Sequence, residues 1–206
     1  MYPVTFAADI PTEGRNRLST FLRYIYAIPI AIVVAIYGIG AYIAAIIAWF
    51  SIVFTGRYPD GVYDFVGKFV RLAGRANSYM YLATDEYPPF NGEPDDSYPV
   101  RVGIPAPLGT YDRLKTGLRL LFGIPVLLLD YVQAIIGSVV ALIAWFAIVF
   151  TGKMPEGLVN PLRGALSYQT KAAAYFLLLT EDWPPFSDES EQVSAGQIGE
   201  RTGEPR

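Results

Sequence analysis

The sequence contains no cysteine and no histidine, and only 17% of its 206 residues are charged. Without cysteine the chain has no disulfide bond and no thiolate site, and without histidine it lacks the commonest acid–base catalyst and zinc ligand. The sequence also shows no glycine-rich phosphate loop and no nucleophile beside a matching base. We therefore predict a non-catalytic protein that uses no cofactor and no metal.

Two long apolar stretches dominate what is present. Residues 24–54 contain no charged side chain, and residues 120–150 contain only Asp130. Each stretch exceeds the roughly 20 apolar residues that span a bilayer. The sequence therefore predicts an all-α integral membrane protein with membrane lipids as partners.

The charged residues are segregated along the chain. Acidic residues collect in the segment 91–97, which holds Glu93, Asp95 and Asp96, and again after residue 187. Most arginines and lysines instead flank the two apolar stretches. This distribution is typical of a membrane protein and argues against nucleic acid as a partner.

The sequence is an internal duplication. A shift of 96 residues aligns 2–90 with 98–186 without a gap, and 31 of the 89 aligned positions are identical. Shared landmarks are Arg17 with Arg113, Arg23 with Arg119, Ile28-Pro29 with Ile124-Pro125, Ala48-Trp49-Phe50 with Ala144-Trp145-Phe146, Phe54-Thr55-Gly56 with Phe150-Thr151-Gly152, and Pro88-Pro89-Phe90 with Pro184-Pro185-Phe186. We divide the chain into repeat 1 (1–90), an acidic linker (91–97), repeat 2 (98–186) and a tail (187–206) that we predict to be disordered.

These landmarks resemble those of the prokaryotic membrane family catalogued as domain of unknown function 4389. Both copies match the pattern, although Trp183 replaces its tyrosine in the second copy. Because the family is itself uncharacterised, the resemblance implies a membrane location and assigns no role to any residue.

Each apolar stretch is longer than one straight crossing of a bilayer. A helix from Ser19 to Thr55 would be about 55 Å long, against a hydrocarbon core of about 30 Å. We therefore predict a transmembrane helical hairpin in each repeat, with a turn near Gly38 and Gly40. The alternative is one long tilted helix in each repeat, with the second repeat inverted relative to the first.

The segments that open the two repeats alternate weakly between apolar and polar residues. Tyr2, Val4 and Phe6 in repeat 1 correspond to Tyr98, Val100 and Val102 in repeat 2. The alternation indicates a small two-stranded ribbon, and the nearby prolines indicate an extended arm instead.

A further helix is predicted after each apolar stretch, over 65–83 and 161–179. Asp64 and Asn160 are its predicted N-caps, and Pro161 its first residue. Basic side chains recur on it at spacings of three and four, so we predict an interfacial amphipathic helix whose basic face meets lipid headgroups. The candidate contacts to headgroups or a protein partner are Arg17, Arg23, Lys68, Arg71, Arg75, Arg113, Arg119 and Lys171.

Aromatic residues near the ends of the apolar stretches and in the closing motifs are predicted to anchor the protein at the membrane surface. These residues are Trp49, Trp145, Tyr87, Phe90, Trp183 and Phe186. Alternatively, the closing proline motif is a binding segment for a partner protein, because a stiff extended segment loses little conformational entropy on binding.

Asp130 is the only ionisable residue within either apolar stretch, and Gln133 lies one helical turn after it. An ionisable residue inside a membrane segment is a candidate site for ion or proton handling. Its counterpart in repeat 1 is Val34, so the repeats do not share such a site. We retain Asp130 and Gln133 as a candidate intramembrane polar site.

Basic residues flank both ends of each apolar stretch, which predicts a multi-pass protein of the inner (cytoplasmic) membrane with both termini cytoplasmic. Its predicted role is that of an accessory or scaffolding subunit, which packs against another membrane protein or another copy of itself. Small residues such as Gly38, Ala41 and Ala44 would allow close helix contact. Two alternatives remain open: a small transporter or channel, and a lipid-binding protein that shapes the membrane.

Overall fold

The structure, a computed structural model, describes residues 2–185 and is largely helical with one small sheet. Repeat 1 contains strand β1 (Thr5–Ala8) and helices α1 (Arg17–Phe21), α2 (Arg23–Thr55) and α3 (Asp60–Met80). Repeat 2 contains strand β2 (Val100–Gly103) and helices α4 (Arg113–Gly117), α5 (Arg119–Phe122), α6 (Ile124–Thr151) and α7 (Glu156–Phe176). The predicted disordered tail lies outside the described residues.

The apolar stretch of repeat 1 is one continuous helix, and that of repeat 2 is continuous from Ile124 onward, so the hairpin predicted to turn near Gly38 and Gly40 is wrong. α2 is 33 residues long and α6 is 28. The two glycines stay helical because they let aromatic rings of α3 pack closely: a Cβ on Gly38 would lie 3.2 Å from Phe69, and one on Gly40 would lie 3.2 Å from Phe65. Within residues 2–185, α2 and α6 are the two helices long and apolar enough to cross a membrane.

The structure does contain a helical hairpin in each repeat, but it pairs the apolar helix with the helix that follows it. α3 runs back along α2, because Ala27 near the start of α2 clusters with Tyr79 near the end of α3. The middle of α2 meets the middle of α3 where Tyr37 contacts Phe69, with ring centroids 5.9 Å apart. α7 packs along α6 in the same way.

Both amphipathic helices begin five residues earlier than predicted, at Asp60 and Glu156. Asp64 and Asn160 therefore lie inside the helices and are not N-caps, and Pro161 lies inside α7. The helices start directly after prolines, and the acidic first residue of each is favourable beside the positive end of the helix dipole. The prediction of a helix after each apolar stretch is correct, and its predicted boundaries are wrong.

The opening segments form the two-stranded ribbon. β1 pairs antiparallel with β2, with Thr5 opposite Gly103 and Ala8 opposite Val100. The ribbon joins the two repeats, because each strand comes from a different one. It packs on α3 through β2 and on α7 through β1.

α2 and α6 run antiparallel and meet at their ends, where α1 packs on α6 and α4 packs on α2. The Arg17 Nε of α1 donates to the Val149 carbonyl oxygen of α6 at 2.7 Å. The indole N–H of Trp145 donates to the Thr20 carbonyl at 3.1 Å, and that of Trp49 donates to the Thr116 carbonyl at 3.0 Å. The antiparallel long helices agree with the inverted arrangement given above as the alternative to hairpins.

The two repeats share their cores and form a single folded unit. One core cluster around Ala41, Ala48 and Val66 of repeat 1 also contains Leu177 and Leu178 of repeat 2. A second cluster around Ile148 and Leu162 of repeat 2 contains Leu82 and Ala83 of repeat 1. Each repeat therefore completes the core of the other.

Leu82 and Leu178 adopt a left-handed backbone conformation, with φ of 65° and 66°. This conformation directs their own side chains into the shared core clusters. They follow the ends of α3 and α7, where a glycine is usual. At the end of α3, the Ala83 N–H donates to the Ser78 carbonyl at 2.8 Å, which completes a Schellman motif. The buried leucine side chain offsets the cost of the strained backbone.

We expect Leu82→Ala to lower the free energy of unfolding by about 3 kcal/mol, because it empties a core position while the strained backbone stays. Leu82→Gly should lose about 1 kcal/mol less than Leu82→Ala, because glycine adopts positive φ without strain. Chemical unfolding of the three proteins in detergent micelles measures both differences. A glycine variant less stable than the alanine variant would contradict this explanation of the left-handed leucine.

Candidate membrane-contacting surface

One side of α2 exposes an unbroken run of large apolar side chains. They recur at every third or fourth residue, so they share one side of the helix. Ile36 is 67% exposed and Phe54 is 70% exposed. The run consists of Tyr24, Ile25, Ile28, Ile32, Ile36, Ile39, Tyr42, Ile43, Ile46, Ile47, Phe50 and Phe54. An exposed apolar surface of this length marks an interaction site.

Repeat 2 carries the equivalent run on α5 and α6. It consists of Leu120, Leu121, Ile124, Leu127, Leu128, Tyr131, Val132, Ile135, Val139, Leu142, Ile143, Phe146 and Phe150. α3 covers α2, α7 covers α6, and α3 and α7 touch each other. The exposed run of each long helix therefore lies on the side away from its covering helix, and we call the two runs together the apolar face.

The opposite side of the molecule is polar, and we call it the polar layer: α3, α7, the ribbon and the linker 91–97. The linker lies against α3, where the Lys68 Nζ contacts a carboxylate oxygen of Glu93 at 2.9 Å and one of Asp64 at 3.0 Å. Arg101 of the ribbon pairs with Asp9 at 3.0 Å. Charged groups thus concentrate on one side of the molecule and apolar side chains on the other.

Four of the eight basic residues predicted to contact headgroups are buried, so that prediction is wrong for them. They are Arg23, Arg75, Arg119 and Lys171, each at most 7% exposed. Arg75 and Lys171 are buried because the ribbon and the long helices pack on α3 and α7, and Arg23 and Arg119 are buried against the rings of Tyr79 and Tyr175. The predicted continuous basic face is therefore absent from the described part of α3.

The other four basic residues remain at least partly accessible. Arg17 and Arg113 are exposed, and each lies beside the C-terminal glycine of the other repeat's long helix, Gly152 and Gly56. Lys68 and Arg71 are half-buried on the outer side of α3. These residues lie on the polar layer or at its border with the ends of the long helices.

Buried Arg23 is held by a carboxylate and an aromatic ring. Its guanidinium lies 4.2 Å from the centre of the Tyr79 ring, and its Nη2 donates to Asp85 Oδ1 at 2.6 Å. Asp85 also accepts two hydrogen bonds from Arg15 and one from the backbone N–H of Asn16. One carboxylate therefore joins two buried arginines, and we call this group the Asp85 cluster.

Electrostatics keep Asp85 ionised. Burial by itself raises the pKa of this carboxyl, but the hydrogen bonds from Arg15 and Asn16 and the charges of Arg15 and Arg23 outweigh it. The pKa of Asp85 therefore lies below its usual value. The cluster is a structural ion group, because the buried charges of Arg15 and Arg23 are both paired with Asp85 and both guanidinium groups also donate to backbone carbonyls.

Repeat 2 has a looser version of the same group. The Arg119 guanidinium lies 4.1 Å from the centre of the Tyr175 ring and donates to the Thr180 carbonyl at 2.8 Å. Tyr111 replaces Arg15, and Glu181 replaces Asp85. Glu181 accepts from the backbone N–H of Asp112 at 2.6 Å.

The predicted aromatic anchors fall into two groups. The indoles of Trp49 and Trp145 are half-buried and bond across the two repeats, as described above, so they join the repeats. Tyr87, Phe90 and Trp183 are exposed at the ends of the hairpins. Phe186 lies outside the described residues.

Asp130 and Gln133 do not lie at a hairpin turn, because no turn exists there. They lie between Val126 and Gly137, on the side of α6 that faces α7. Val126 clusters with Tyr168 of α7, and Gly137 approaches Ala165. Asp130 Oδ1 and the Tyr168 hydroxyl have no hydrogen-bond partner within the described residues. Burial raises the pKa of Tyr168 to about 12, and the charge of Asp130 adds to the shift.

The Asp85 cluster is the group of charged residues that sequence reasoning missed. The signal was present, since Arg23 and Arg119 are shared landmarks and an acidic residue stands at 85 and 181 in both copies. Their separation of about 60 residues hides the pairing, because only the α2–α3 hairpin brings the two ends together.

A family model described as Domain of unknown function (DUF4389) matches the chain twice, over residues 17–91 and 113–188. No curated protein and no solved structure matches the chain.

Proposed function

The chain belongs to the DUF4389 family, whose domain it carries twice, and we propose that it is a non-catalytic membrane protein that inserts its apolar face among lipid acyl chains. The observation that supports this proposal is the extent of the face. Only 22% of the most apolar part of each long helix is buried within the protein. The remaining apolar surface needs a nonpolar environment.

Lipid fits this face better than a protein partner does. The small residues predicted to receive a partner helix, Gly38, Ala41 and Ala44, are buried inside repeat 1. What remains exposed includes a dense set of isoleucine, leucine and aromatic side chains. Of the functions considered, a lipid-binding protein that organises or shapes the membrane is therefore favoured over an accessory subunit.

The proposed location is the cytoplasmic membrane, with the polar layer and both termini on the cytoplasmic side. Arg17, Arg57, Arg113 and Lys153 lie at the ends of the long helices, where α1 and α4 meet them. Basic residues beside membrane segments are retained in the cytoplasm.

A reconstitution experiment tests this proposal. The purified chain is added to liposomes of phosphatidylethanolamine and phosphatidylglycerol, detergent is removed, and the liposomes are floated after alkaline washing. We expect the wild type to float with lipid in the absence of any other protein. The variant Ile36→Lys/Ile43→Lys should bind at least tenfold less, because each lysine among acyl chains costs about 1 kcal/mol or more even after snorkelling.

The matched control is Gly109→Lys/Thr110→Lys, which adds the same charge to an exposed loop where a side chain at Gly109 meets nothing within 4 Å. This variant should float like the wild type. Wild-type protein that stays at the bottom of the gradient, while remaining soluble and folded, would overturn the proposal.

A further inference from the structure

The long helices are accompanied by polar structure along their whole length. α3 starts beside the end of α2 and finishes beside its start, as the contact of Ala27 with Tyr79 shows. At the midpoint of α2, Gly38 lies against Phe69. Lys68 and Arg71 flank Phe69 in the sequence, so they lie level with the middle of the apolar helix.

The outer side of α3 is an aqueous surface. Lys68 bridges Asp64 and Glu93 there, and the linker backbone at Gly92 is packed so closely on α3 that a Cβ at Gly92 would collide with the Lys68 carbonyl. Four charged groups are thus gathered at the level of the midpoint of α2. In a helix that crosses a bilayer, this level is the centre of the hydrocarbon, where charged side chains are rare and face a protein interior or water.

The ribbon also indicates that the polar layer lies outside the hydrocarbon of the bilayer. Within residues 2–185, β1 and β2 form a two-stranded sheet, so each strand has an edge whose backbone groups are not paired within the sheet. The ribbon packs on α3 and α7, in the middle of the polar layer. Open strand edges do not occur in contact with the hydrocarbon of a bilayer, because their polar groups would have no partners.

The length of the apolar face also exceeds one crossing. α2 has 33 residues, which is about 50 Å at 1.5 Å per residue, against a hydrocarbon core of about 30 Å. A crossing that keeps the whole helix inside the hydrocarbon would require a tilt of about 50°, beyond the range of about 0–40° that membrane helices show. A helix parallel to the membrane plane has no such limit.

We infer that α2 and α6 lie parallel to the membrane in a single leaflet, with the apolar face among its acyl chains and the polar layer in water. This inference rests on the proposed contact between the apolar face and lipid, and it replaces the multi-pass arrangement. The bound partner is the acyl-chain region of one leaflet. Insertion into one leaflet only expands that leaflet relative to the other, which is a physical means of bending or sensing a membrane.

This orientation also removes the conflict between inverted repeats and the positive-inside rule. The long helices are antiparallel, so crossing helices would place their basic ends on opposite sides of the membrane. Helices in the membrane plane keep every basic end on the same side, including Arg57 and its counterpart Lys153.

The depth of spin labels tests the inference, because the chain has no native cysteine. Single cysteines are placed at Ile25, Ile36, Ile43 and Phe54, which share one side of α2, and the chain is reconstituted in liposomes of phosphatidylethanolamine and phosphatidylglycerol. Exposure to oxygen and to a water-soluble nickel complex gives the depth of each label. The matched set in repeat 2 is Leu121, Val132, Val139 and Phe150, at equivalent positions.

We expect all labels to lie at nearly the same depth, about 5–10 Å below the headgroup boundary. In a crossing helix, the depth would change along the span of about 44 Å, from one surface through the bilayer centre to the other surface. That result would overturn the inference, while the proposed contact with lipid would stand. Labels that are all exposed to water would overturn both proposals. Since every labelled side chain is exposed in the fold, the substitutions remove no core packing.

Discussion

A chain that contains residues 1–97 alone is expected not to fold, although it holds a complete copy of the repeated domain. The core of repeat 1 includes Val102, Tyr111, Leu177, Leu178 and Leu179 from the second repeat. A fragment without them exposes a large part of its core to solvent and loses the partner strand of β1. Loss of five buried apolar side chains, at about 2 kcal/mol each, is as large as the whole stability of a typical domain.

Polar contacts across the repeats add to this expected loss. The hydroxyl of Tyr58 donates to the Leu177 carbonyl at 3.2 Å, and that of Tyr63 donates to the Pro105 carbonyl at 2.9 Å. In the fragment these buried groups have no partner from repeat 2, and an unpaired buried polar group costs about 1–3 kcal/mol.

The measurement is limited proteolysis together with thermal unfolding of 1–97, of 98–206 and of their equimolar mixture, in the same detergent. Each fragment alone should be cleaved rapidly and unfold without a cooperative transition. The mixture should recover protease resistance, because the cut falls in the linker and leaves every element intact. Cooperative unfolding of 1–97 alone, near the transition temperature of the whole chain, would show that the repeats are independent domains.

Asp85→Asn is expected to lower the free energy of unfolding by about 3 kcal/mol. The substitution leaves Arg15 and Arg23, with side chains no more than 1% exposed, without their shared negative charge. Breaking a buried ion group costs about 3–5 kcal/mol. We expect the lower end of that range because the Asp85 side chain is itself 24% exposed and partly screened.

The pH dependence follows from the lowered pKa of Asp85. A carboxyl whose pKa is lower in the folded state stabilises the fold above its unfolded pKa of about 3.9, and this contribution is lost as the pH falls through the folded value. The stability difference between wild type and Asp85→Asn should therefore be constant from neutral pH to about pH 5, and should shrink at lower pH.

Glu181→Gln in repeat 2 is the matched control. Glu181 accepts a backbone hydrogen bond from Asp112, while Arg119 is held by Tyr175 and the Thr180 carbonyl. We expect this variant to lose about 1 kcal/mol, the value of one hydrogen bond. Equal losses from the two substitutions in chemical unfolding would refute the special role of the Asp85 cluster.

The sequence was sufficient to predict the parts of the fold that depend on local pattern. The duplication, the helical content and a helix after each apolar stretch all follow from identities, apolar runs and proline positions, and the family match confirms the two copies. The ribbon was one of two alternatives, because a short alternation of Val4 and Phe6 does not exclude an extended arm.

The errors came from tertiary contacts that no local pattern contains. Gly38 and Gly40 looked like a turn, since glycine permits one, but the rings of Phe69 and Phe65 need the same absence of a side chain. Arg75 and Lys171 looked like headgroup contacts, since arginine and lysine are rarely buried, but α3 and α7 are enclosed by the ribbon and the long helices.

The sequence predicts the composition of the candidate surface, but it does not predict how the surface is oriented relative to the membrane. An apolar stretch predicts contact with lipid whether the helix crosses the membrane or lies along it. The orientation depends on Lys68, Asp64 and Glu93, which α3 and the linker bring level with the middle of α2. These residues are 26 to 55 positions from Gly38 in the sequence, so only the fold shows that they share a level.

Labelling of the two equivalent loops tests the orientation of the whole molecule most directly. Arg57 and Lys153 are exposed, follow the ends of α2 and α6, and occupy matching positions of the two repeats. Single cysteines at these positions are treated with a membrane-impermeant thiol reagent on sealed cells and on inverted vesicles. We predict that both cysteines react only from the cytoplasmic side, whereas reaction of Arg57→Cys and Lys153→Cys from opposite sides would contradict the account.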